Sequence, residues 1–410
     1  MTGDRNTFRI LVRKFGPFEA AIQEQWRTLA HPAAGDHRLV AEPLDLHPLH
    51  AAIFAPADPT DWDVAFLSSD WFAQAHAQQT VTDLAPWLAA APPDDYPDGW
   101  THSLLHMHHF DDVVLGVPYH DGPECLIYRR DLFDDPTNQA IYAAQYGEPL
   151  RAPQSWAEFH RVAGFFQRPE TPLYGTVFAA FPDGHNTVYD FCLQLWTRGG
   201  ELFDDAGNLQ LNTPQAAAAL DFYRTVLNDR NAIHPACRDL DSVGAGLAFA
   251  AGEVAMMVNW FGFAAMAETV ADSKVKGAVA IANIPAGDQG APISLNAYWI
   301  LVINRASPHQ ELAYHFLRHC ASPHMDKLLT LTGGIGCRRS TWRDAEVNAQ
   351  IPFYRQMEEL HAHARELPRR QDWSQIAAAI DRLVLTVIDS DAPCATLVAQ
   401  AQEEWERLAL

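Results

Sequence analysis

The sequence lacks every common catalytic signature. It has no G-x-S-x-G nucleophile elbow, no G-x-x-x-x-G-K-[ST] phosphate loop, no H-E-x-x-H zinc motif, and no G-x-G-x-x-G after a strand. The glycine-rich segment 332–336 has neither the Lys nor the hydroxyl residue of a phosphate loop, so we predict a helix-end loop there. These absences favour a protein that binds a ligand without an activated nucleophile and without a cofactor.

Cysteine patterning is also missing. The six cysteines stand at 125, 192, 237, 320, 337 and 394 without a C-x-x-C pair, which excludes a zinc ribbon and a small disulfide scaffold. Their apolar surroundings predict buried free thiols, which are typical of a reducing compartment. His102, His106, His108 and His109 are the one metal-like cluster, and three imidazoles can ligate zinc. Their polar context favours a solvated helix face or loop, so no metal site is predicted.

Positive charge and long apolar runs are scarce. Lys and Arg number 29 against 51 Asp and Glu, and the net charge of −22 argues against nucleic acid or an anionic membrane as partner. No apolar run approaches the roughly 18–20 residues that span a bilayer. The first fifteen residues show no signal-peptide pattern. The expected location is therefore cytoplasmic if Met1 is the native start, and periplasmic or cell-surface if a leader has been removed.

What is present indicates a two-domain α/β protein, since 410 residues exceed one ordinary core. A strand is predicted over 7–15, a helix from Gly16-Pro17, and a buried strand over 63–67 that ends in a polar turn. Ligands of open α/β sheets bind outside the carboxyl ends of strands. The residues at these two strand ends are therefore binding candidates, with helix capping and first-turn packing as the alternative: Lys14, Phe15, Ser69, Asp70 and Trp71.

The stretch 115–133, LGVPYHDGPECLIYRRDLF, is central to the organisation of the chain. An apolar run is predicted to end at Pro118, a polar Gly/Pro-containing link follows, and Cys125 resumes a strand pattern. A strand, a stiff polar link and a second strand suit a passage from one sheet to another, which would place Tyr119 and Asp121 in the seam. A strand–loop–strand inside a single domain fits the same pattern.

Aromatic residues stand repeatedly at strand ends or next to polar turns. They are Trp71, Tyr119, Trp260, Tyr298, Trp299 and Trp373. Flat rings beside Asn, Asp, Gln and Arg suit a sugar, which offers apolar C–H faces and a rim of hydroxyls. A single Trp of this kind is more often a core residue, and their repetition at loop positions is what favours a carbohydrate ligand.

Five segments in order resemble the extracellular solute-binding proteins of bacterial ABC importers, the family that contains maltose-binding protein. The residues 249–266, FAAGEVAMMVNWFGFAAM, match that family's strand and turn most specifically. The other similar segments are 62–88, 116–133, 153–159 and 303–322. The resemblance implies a two-lobed periplasmic-binding-protein fold (type II, venus-flytrap) of α/β class. Its hinge crossings would fall near 118–122, 284–285 and 331–333, with an N-terminal lobe of 1–118 and 285–330 and a C-terminal lobe of 122–283 and 333–410.

Carried over by position, the resemblance implies a binding site made by both lobes. Trp260 falls where the family places a stacking aromatic, and Trp373 corresponds to another, preceded here by Asp372. Further implied site residues are Ser69, Asp70, Trp71, Tyr119, Asp121, Asp183, His185, Asn296 and Tyr298. The family's glycines before the strand SLNAYWILV are replaced here by Ser294, Asn296 and Tyr298, so that wall of the site differs.

The sequence therefore predicts a non-enzymatic protein that captures a mono- or oligosaccharide or a polyol between its lobes by hinge closure. The implied partners are the transmembrane permease subunits of an ABC importer, and a monomer is expected. Two alternatives stay open at this point. One is a glycoside-acting hydrolase using a carboxylate pair such as Asp121 and Asp372; the other is a cytoplasmic ligand sensor of the same fold.

Overall fold

A computed structural model describes residues 6–168, 170–287 and 290–408. The ends of the predicted lobes at 1–5 and 409–410 lie outside the described residues. Strands, in chain order, are β1 (Thr7–Arg13), β2 (Arg38–Leu44), β3 (Val64–Ser68), β4 (His109–Phe110), β5 (Val113–Val114), β6 (Val117–His120), β7 (Glu124–Arg129), β8 (Tyr174–Val177), β9 (Val254–Trp260), β10 (Val279–Ala282), β11 (Ser294–Asn296), β12 (Trp299–Ile303) and β13 (Ala364–Glu366).

Helices surround these strands, and within the described ranges none is long and apolar enough to cross a membrane. The α-helices are α1 (Gly16–Arg27), α2 (Pro32–Asp36), α3 (Leu46–Phe54), α4 (Phe72–Gln78), α5 (Ala85–Ala90), α6 (Arg130–Asp134), α7 (Pro136–Tyr146), α8 (Trp156–Phe166), α9 (Asn186–Trp196), α10 (Pro214–Asn228), α11 (Ser242–Ala250), α12 (Phe261–Thr269), α13 (Gln310–Cys320), α14 (Pro323–Leu331), α15 (Arg339–Trp342), α16 (Ala345–Gln350), α17 (Met357–Ala362), α18 (Trp373–Ile388) and α19 (Cys394–Leu408). Short 3₁₀ helices cover Ser69–Trp71, His102–Leu104, His106–His108, Cys237–Asp239 and Tyr354–Gln356.

The chain divides into two compact units. Unit 1 comprises Met1–Gly122, Asn296–His361 and Glu366–Gln371, and unit 2 comprises Pro123–Leu295, Ala362–Arg365 and Asp372–Leu410. The first passage, at 122/123, lies in the predicted link. The second lies at 295/296, beyond the predicted 284–285, and residues 333–361 belong to unit 1 and not to the C-terminal part. Spacing of helices and strands in the sequence does not show these boundaries, because the passages are short and carry no distinctive composition.

Unit 1 is built on a five-stranded sheet with the order β2-β1-β3-β12-β6. β1 pairs in parallel with β2 and β3, whereas β12 is antiparallel to both β3 and β6. Its central strands are apolar on both faces, as expected for strands covered by helices on either side. Contrary to prediction, the strand does not end at Pro118: β6 runs from Val117 to His120, which an edge strand permits because one side needs no N–H donor.

Unit 2 is built on a four-stranded sheet with the order β10-β7-β9-β8. β9 is parallel to β8 and antiparallel to β7, which in turn is antiparallel to β10. Hydroxyl side chains cap two helices of this unit: the Ser155 side chain accepts from the Glu158 N–H at the start of α8, and the Thr213 side chain accepts from the Ala216 N–H at the start of α10. The Glu158 carboxylate reaches back to the N–H of Gln154 and so completes a capping box shifted by one residue.

All six cysteines are free and buried, which confirms the prediction made from their apolar surroundings. Burial raises the pKa of the Cys125 and Cys237 thiols, so both are held in the neutral form. The segment 332–336 follows the end of α14, as predicted, with Gly333 at φ +105°.

Gly175 on β8 is required by the close approach of α8. A Cβ atom at Gly175 would lie 1.9 Å from the carbonyl oxygen of Ala163, a backbone atom that cannot rotate away. We expect Gly175→Ala to lower the free energy of unfolding by about 1–3 kcal/mol, because the helix must move off the sheet. Urea denaturation followed by circular dichroism measures this.

Gly164 in α8 provides the matched control. Its Cβ would lie 3.7 Å from the Asn231 carbonyl, an ordinary contact distance, so Gly164→Ala is expected to stabilise the helix by about 0.5–1 kcal/mol. Equal effects of the two substitutions would contradict this account of helix–sheet packing.

Candidate functional site

The topology of unit 1 brings several predicted residues to one edge of its sheet. β1, β3 and β6 run in the same direction, because β12 is antiparallel to both of its neighbours. Their carboxyl ends therefore share an edge with the start of β12. This edge carries Lys14 and Phe15 after β1, Ser69, Asp70 and Trp71 after β3, His120 and Asp121 after β6, and Tyr298 and Trp299 at the start of β12.

Three predicted site residues, Tyr119, Tyr298 and Ser69, make hydrogen bonds to other residues of unit 1. The Tyr119 hydroxyl donates to Gln25 Oε1 at 3.0 Å, and its ring packs on Phe66. Tyr298 is fully buried, with its hydroxyl 3.0 Å from His108 Nδ1, and the Ser69 hydroxyl accepts its backbone N–H. Burial raises the pKa of both tyrosines well above the usual range, which keeps their hydroxyls as donors. Their interactions are those of core residues.

The remaining residues of this edge differ in exposure. Lys14 is exposed and lies 3.4 Å from Asp45, and Phe15 is half-buried with its ring edge-on to Phe18. Trp71 is buried against the rings of His50 and Trp299, whereas Asp70 is half-buried. Trp299 is also half-buried and was noted in the sequence as an aromatic only. Lys14, Phe15, Asp70 and Trp299 are therefore at least partly accessible here.

Asp121 lies one residue before the end of the first segment of unit 1, and its hydrogen bonds are to other residues of unit 1. Its Oδ2 lies 2.7 Å from His361 Nε2, and its N–H donates to the Ile335 carbonyl at 3.1 Å. Ile335 in turn donates its N–H to His120 Nδ1, which fixes that imidazole as an acceptor. Burial lowers the pKa of His120 to about 4, in keeping with a neutral ring. Oδ1 of Asp121 is buried without a partner among the described residues.

The topology of unit 2 similarly gathers residues at one edge. β8 and β9 end there and β7 begins there, which places Trp260, the loop after β8 and Glu124 together. Trp260 is half-buried, and its ring meets Tyr189 edge-on, with centroids 5.5 Å apart. The Tyr189 hydroxyl lies 3.0 Å from Nδ1 of His185. Tyr189 was not predicted, because it lies within the apolar pattern of α9.

Asp183 mainly organises the start of α9. Its Oδ1 accepts the N–H groups of His185 and Asn186 at 2.9 and 3.0 Å, and its Oδ2 accepts from the Asn186 side chain. The Asp183 carboxylate is therefore engaged by backbone and side-chain groups at the start of α9. By fixing the loop, Asp183 also sets the position of the half-buried His185.

Two buried carboxyl groups, those of Asp190 and Glu124, also belong to this part of unit 2. Neither was identified as a candidate from the sequence. Asp190 Oδ2 accepts from the Tyr223 hydroxyl at 2.6 Å, and burial raises the pKa of Asp190 to about 7. Glu124 is also buried, and its Oε2 has no partner among the residues that the structure describes. Burial together with the charge of Asp190 raises the pKa of Glu124 well above the usual range. Glu124 is the first residue of β7 and Asp190 lies within α9, and the sequence patterns of both elements indicate only secondary structure.

Three further predicted site residues, Trp373, Asp372 and Asn296, do not belong to the two sheet edges described above. Trp373 is buried at the start of α18, and Asp372 directly precedes it. Asn296 ends β11 and is buried, with both side-chain polar atoms lacking a protein partner in the described chain. An unpaired buried amide is costly, so a ligand or ordered water is the expected partner of Asn296.

The histidine cluster does not form a helix face. Residues 102–108 form two short 3₁₀ helices, and His108 is fully buried with a pKa that burial lowers well below the usual range. Among the residues that the structure describes, no group of His, Cys, Asp and Glu fits a metal ion.

Solved structures of solute-binding proteins share this fold. The chain matches maltose-bound MalE3 of T. maritima with a TM-score of 0.85, at 21% identity, covering 98% of this chain and 99% of the other. It matches a ribitol complex from Agrobacterium radiobacter K84 with a TM-score of 0.83, at 23% identity and 99% coverage of both chains. A D-mannitol complex from Agrobacterium vitis S4 gives 0.82, at 16% identity and 98% coverage of both. The predicted fold class is confirmed.

Comparison of sequences identifies the family. A probable ABC transporter-binding protein of Deinococcus radiodurans is 24% identical over 287 residues, which are 67% of this chain. The match spans 64% of the length of that relative. The model of the bacterial extracellular solute-binding proteins matches residues 51–326, well over half of the chain and across both sheets. This protein belongs to the family of bacterial extracellular solute-binding proteins.

Proposed function

We propose that this protein binds a mono- or oligosaccharide or a polyol, without converting it, as the substrate-binding component of an ABC importer. The observation that carries the proposal is the aromatic edge of unit 2. There the half-buried Trp260 ring stands edge-on to Tyr189, and the His185 ring also lies against Tyr189, with centroids 5.8 Å apart. Such rings can cover the C–H face of a sugar while the neighbouring polar groups pair with its hydroxyls.

Unit 1 offers complementary chemistry at its own sheet edge. Lys14, Asp70 and Asp121 provide one ammonium group and two carboxylates at this edge. Asn296, at the end of β11 and outside this sheet, provides an amide that lacks a protein partner among the described residues. This set both donates and accepts hydrogen bonds, as the hydroxyls of a neutral polyol require. Ligand contact by residues of both units, followed by hinge closure, remains a prediction.

The hydrolase alternative loses its support. The family is one of binding proteins, which do not convert their ligands. Export to the periplasm or cell surface follows from the family and is part of the proposal. So are the permease subunits as partners and the monomeric state.

Thermal unfolding against a ligand panel tests the proposal. The panel contains maltose, ribitol, mannitol and tagatose, which the related structures hold, with amino acids and polyamines as other classes. A ligand that binds only the native state raises the melting temperature by mass action. A rise restricted to sugars or polyols supports the proposal; a rise restricted to amino acids or polyamines would overturn the ligand class.

Trp260→Ala is expected to weaken binding of the ligand so identified by roughly 10- to 100-fold, measured by titration calorimetry. The reason is the loss of the apolar contact of one large ring, about 1.5–3 kcal/mol. Trp405→Ala is the matched control, because it removes another half-buried Trp of unit 2, on α19. Equal affinity of the Trp260→Ala protein and the wild type would show that Trp260 does not touch the ligand.

A further inference from the structure

His361 occupies an unusually ordered position in unit 1. It lies in α17, its side chain is 3% exposed, and its ring lies flat on Trp342 with centroids 4.9 Å apart and planes within 12°. Both ring nitrogens have partners: Nε2 lies 2.7 Å from Asp121 Oδ2, and Nδ1 lies 2.9 Å from Ser103 Oγ. The imidazole therefore has no freedom to turn.

The hydrogen bonds around His361 have a consistent direction. An ionised carboxylate only accepts, so Nε2–H donates to Asp121, which leaves Nδ1 of a neutral ring as an acceptor. Ser103 donates its hydroxyl proton to Nδ1, and its oxygen accepts from the Thr101 hydroxyl, 3.0 Å away. Thr101, Ser103, His361 and Asp121 thus form one donor chain that ends on the carboxylate.

This chain of bonds ties together two places where the polypeptide leaves unit 1. Asp121 stands one residue before the passage at 122/123, and His361 is the last residue before the passage at 361/362. Their side chains are separated by 240 positions in sequence. The carboxylate of Asp121 is consequently fixed close to the point where the chain leaves unit 1.

Fixing the carboxylate in this way leaves its second oxygen unused. Oδ1 of Asp121 is buried and has no partner in the described chain, although a buried unpaired oxygen of a carboxylate is costly. A hydroxyl donor from outside the protein would remove that cost. The arrangement is suited to holding Oδ1 ready for a donor group.

We infer that His361 is a positioning residue, which orients Asp121 so that Oδ1 accepts a hydroxyl of the bound sugar or polyol. This inference rests on the proposed function. The same residue types occur in hydrolytic triads, where Nε2 of His takes the serine proton and Nδ1–H faces the carboxylate. Here the ring is reversed and Ser103 is also bonded to Thr101, which fits orientation and not activation of the serine.

The test combines substitutions at the two residues with ligand titration. We expect His361→Ala to weaken binding about 5- to 10-fold, and His361→Gln, whose amide N–H replaces Nε2–H, to weaken it less than about twofold. In an Asp121→Ala background, His361→Ala should cause no further loss, because two residues acting through one contact are not additive. His363→Ala is the control, since the exposed His363 uses its backbone carbonyl toward Ser294.

A merely structural role of His361 would give different results. In that case His361→Ala would lower the melting temperature, but well below that temperature it would bind the ligand with the affinity of the wild type. The effect of His361→Ala on affinity would then be the same with and without Asp121→Ala. Either result, or equal losses for the Ala and Gln variants, would overturn the inference.

Nitrogen NMR of the imidazole separates failure of this inference from failure of the proposed function. We expect the His361 ring to be the Nε2–H tautomer without ligand, and Ser103→Ala to shift its Nδ1 resonance. If the ring shows this tautomer but no panel compound binds, the proposed function fails while the hydrogen-bond geometry stands. A ring protonated on Nδ1 alone would overturn the positioning role whatever the ligand.

Discussion

Asp326→Ala is expected to lower the free energy of unfolding by about 3–5 kcal/mol, the largest effect that we predict for a single substitution. The Asp326 carboxylate is buried in α14 and accepts three protein donors: the Cys337 N–H at 2.8 Å, the Arg338 N–H at 3.2 Å and the Thr341 hydroxyl at 2.5 Å. It therefore folds the loop from Gly333 to Arg338 back onto the helix. Alanine would leave these donors buried and unpaired.

Urea denaturation and the thermal midpoint measure the effect of Asp326→Ala. Asp272→Asn removes a carboxylate at an exposed position and should stay within about 0.5 kcal/mol of the wild type. A loss below about 1 kcal/mol at Asp326 would contradict the role given to the three hydrogen bonds, since water would then satisfy the donors equally well.

The second large effect that we predict is a dependence of the free energy of unfolding on pH, which arises from Asp190. Its carboxyl group is buried and bonded to Tyr223, and burial raises its pKa to about 7 from an ordinary value of 3.8. The folded state therefore keeps a proton that the unfolded state loses between about pH 4 and pH 7. The stabilisation from protonated Asp190 is complete below pH 4 and is lost as the pH rises to 7, on the order of 2–4 kcal/mol.

Comparison with Asp190→Asn isolates this contribution. The asparagine stays neutral and still accepts from Tyr223, so the free energy of unfolding of the wild type relative to Asp190→Asn should fall between pH 4 and 7 and then level off. Asp204 provides a control of opposite sign: hydrogen bonds from Asn208 lower the pKa of this exposed carboxyl, so its contribution is lost on acidification. A difference between wild type and Asp190→Asn that is constant with pH would exclude a buried neutral Asp190.

The fold was readable from the sequence because its signals are local. Ser155 and Glu158 mark the start of α8 within four residues, and the apolar run before Trp260 marks β9. The common direction of β3 and β6 was not readable, because it depends on pairing with β12, which begins 179 positions after the end of β6 and 231 positions after the end of β3. Yet that pairing is what brings the strand-end residues of unit 1 to one edge.

The candidate site was less predictable because partners distant in sequence decide the role of each polar group. Tyr119 and Tyr298 look like ligand residues at strand ends, but Gln25 and His108, 94 and 190 positions away, take up their hydroxyls. His361 gives no signal at all, since its partners Asp121 and Ser103 lie more than 200 positions upstream. Trp260 could be named as a candidate because an apolar strand pattern and the polar Asn259 directly precede it, and its contact with a ligand stays a prediction.

We propose that this solute-binding protein holds one neutral sugar or polyol and returns it unchanged. Native mass spectrometry of the protein with an equimolar mixture of maltose, ribitol, mannitol and tagatose tests it most directly. We predict a single one-to-one adduct, retained in Trp405→Ala, diminished in Trp260→Ala, and releasing a ligand of unchanged mass. Adducts of equal intensity in both variants, or release of a hydrolysed product, would contradict the claim.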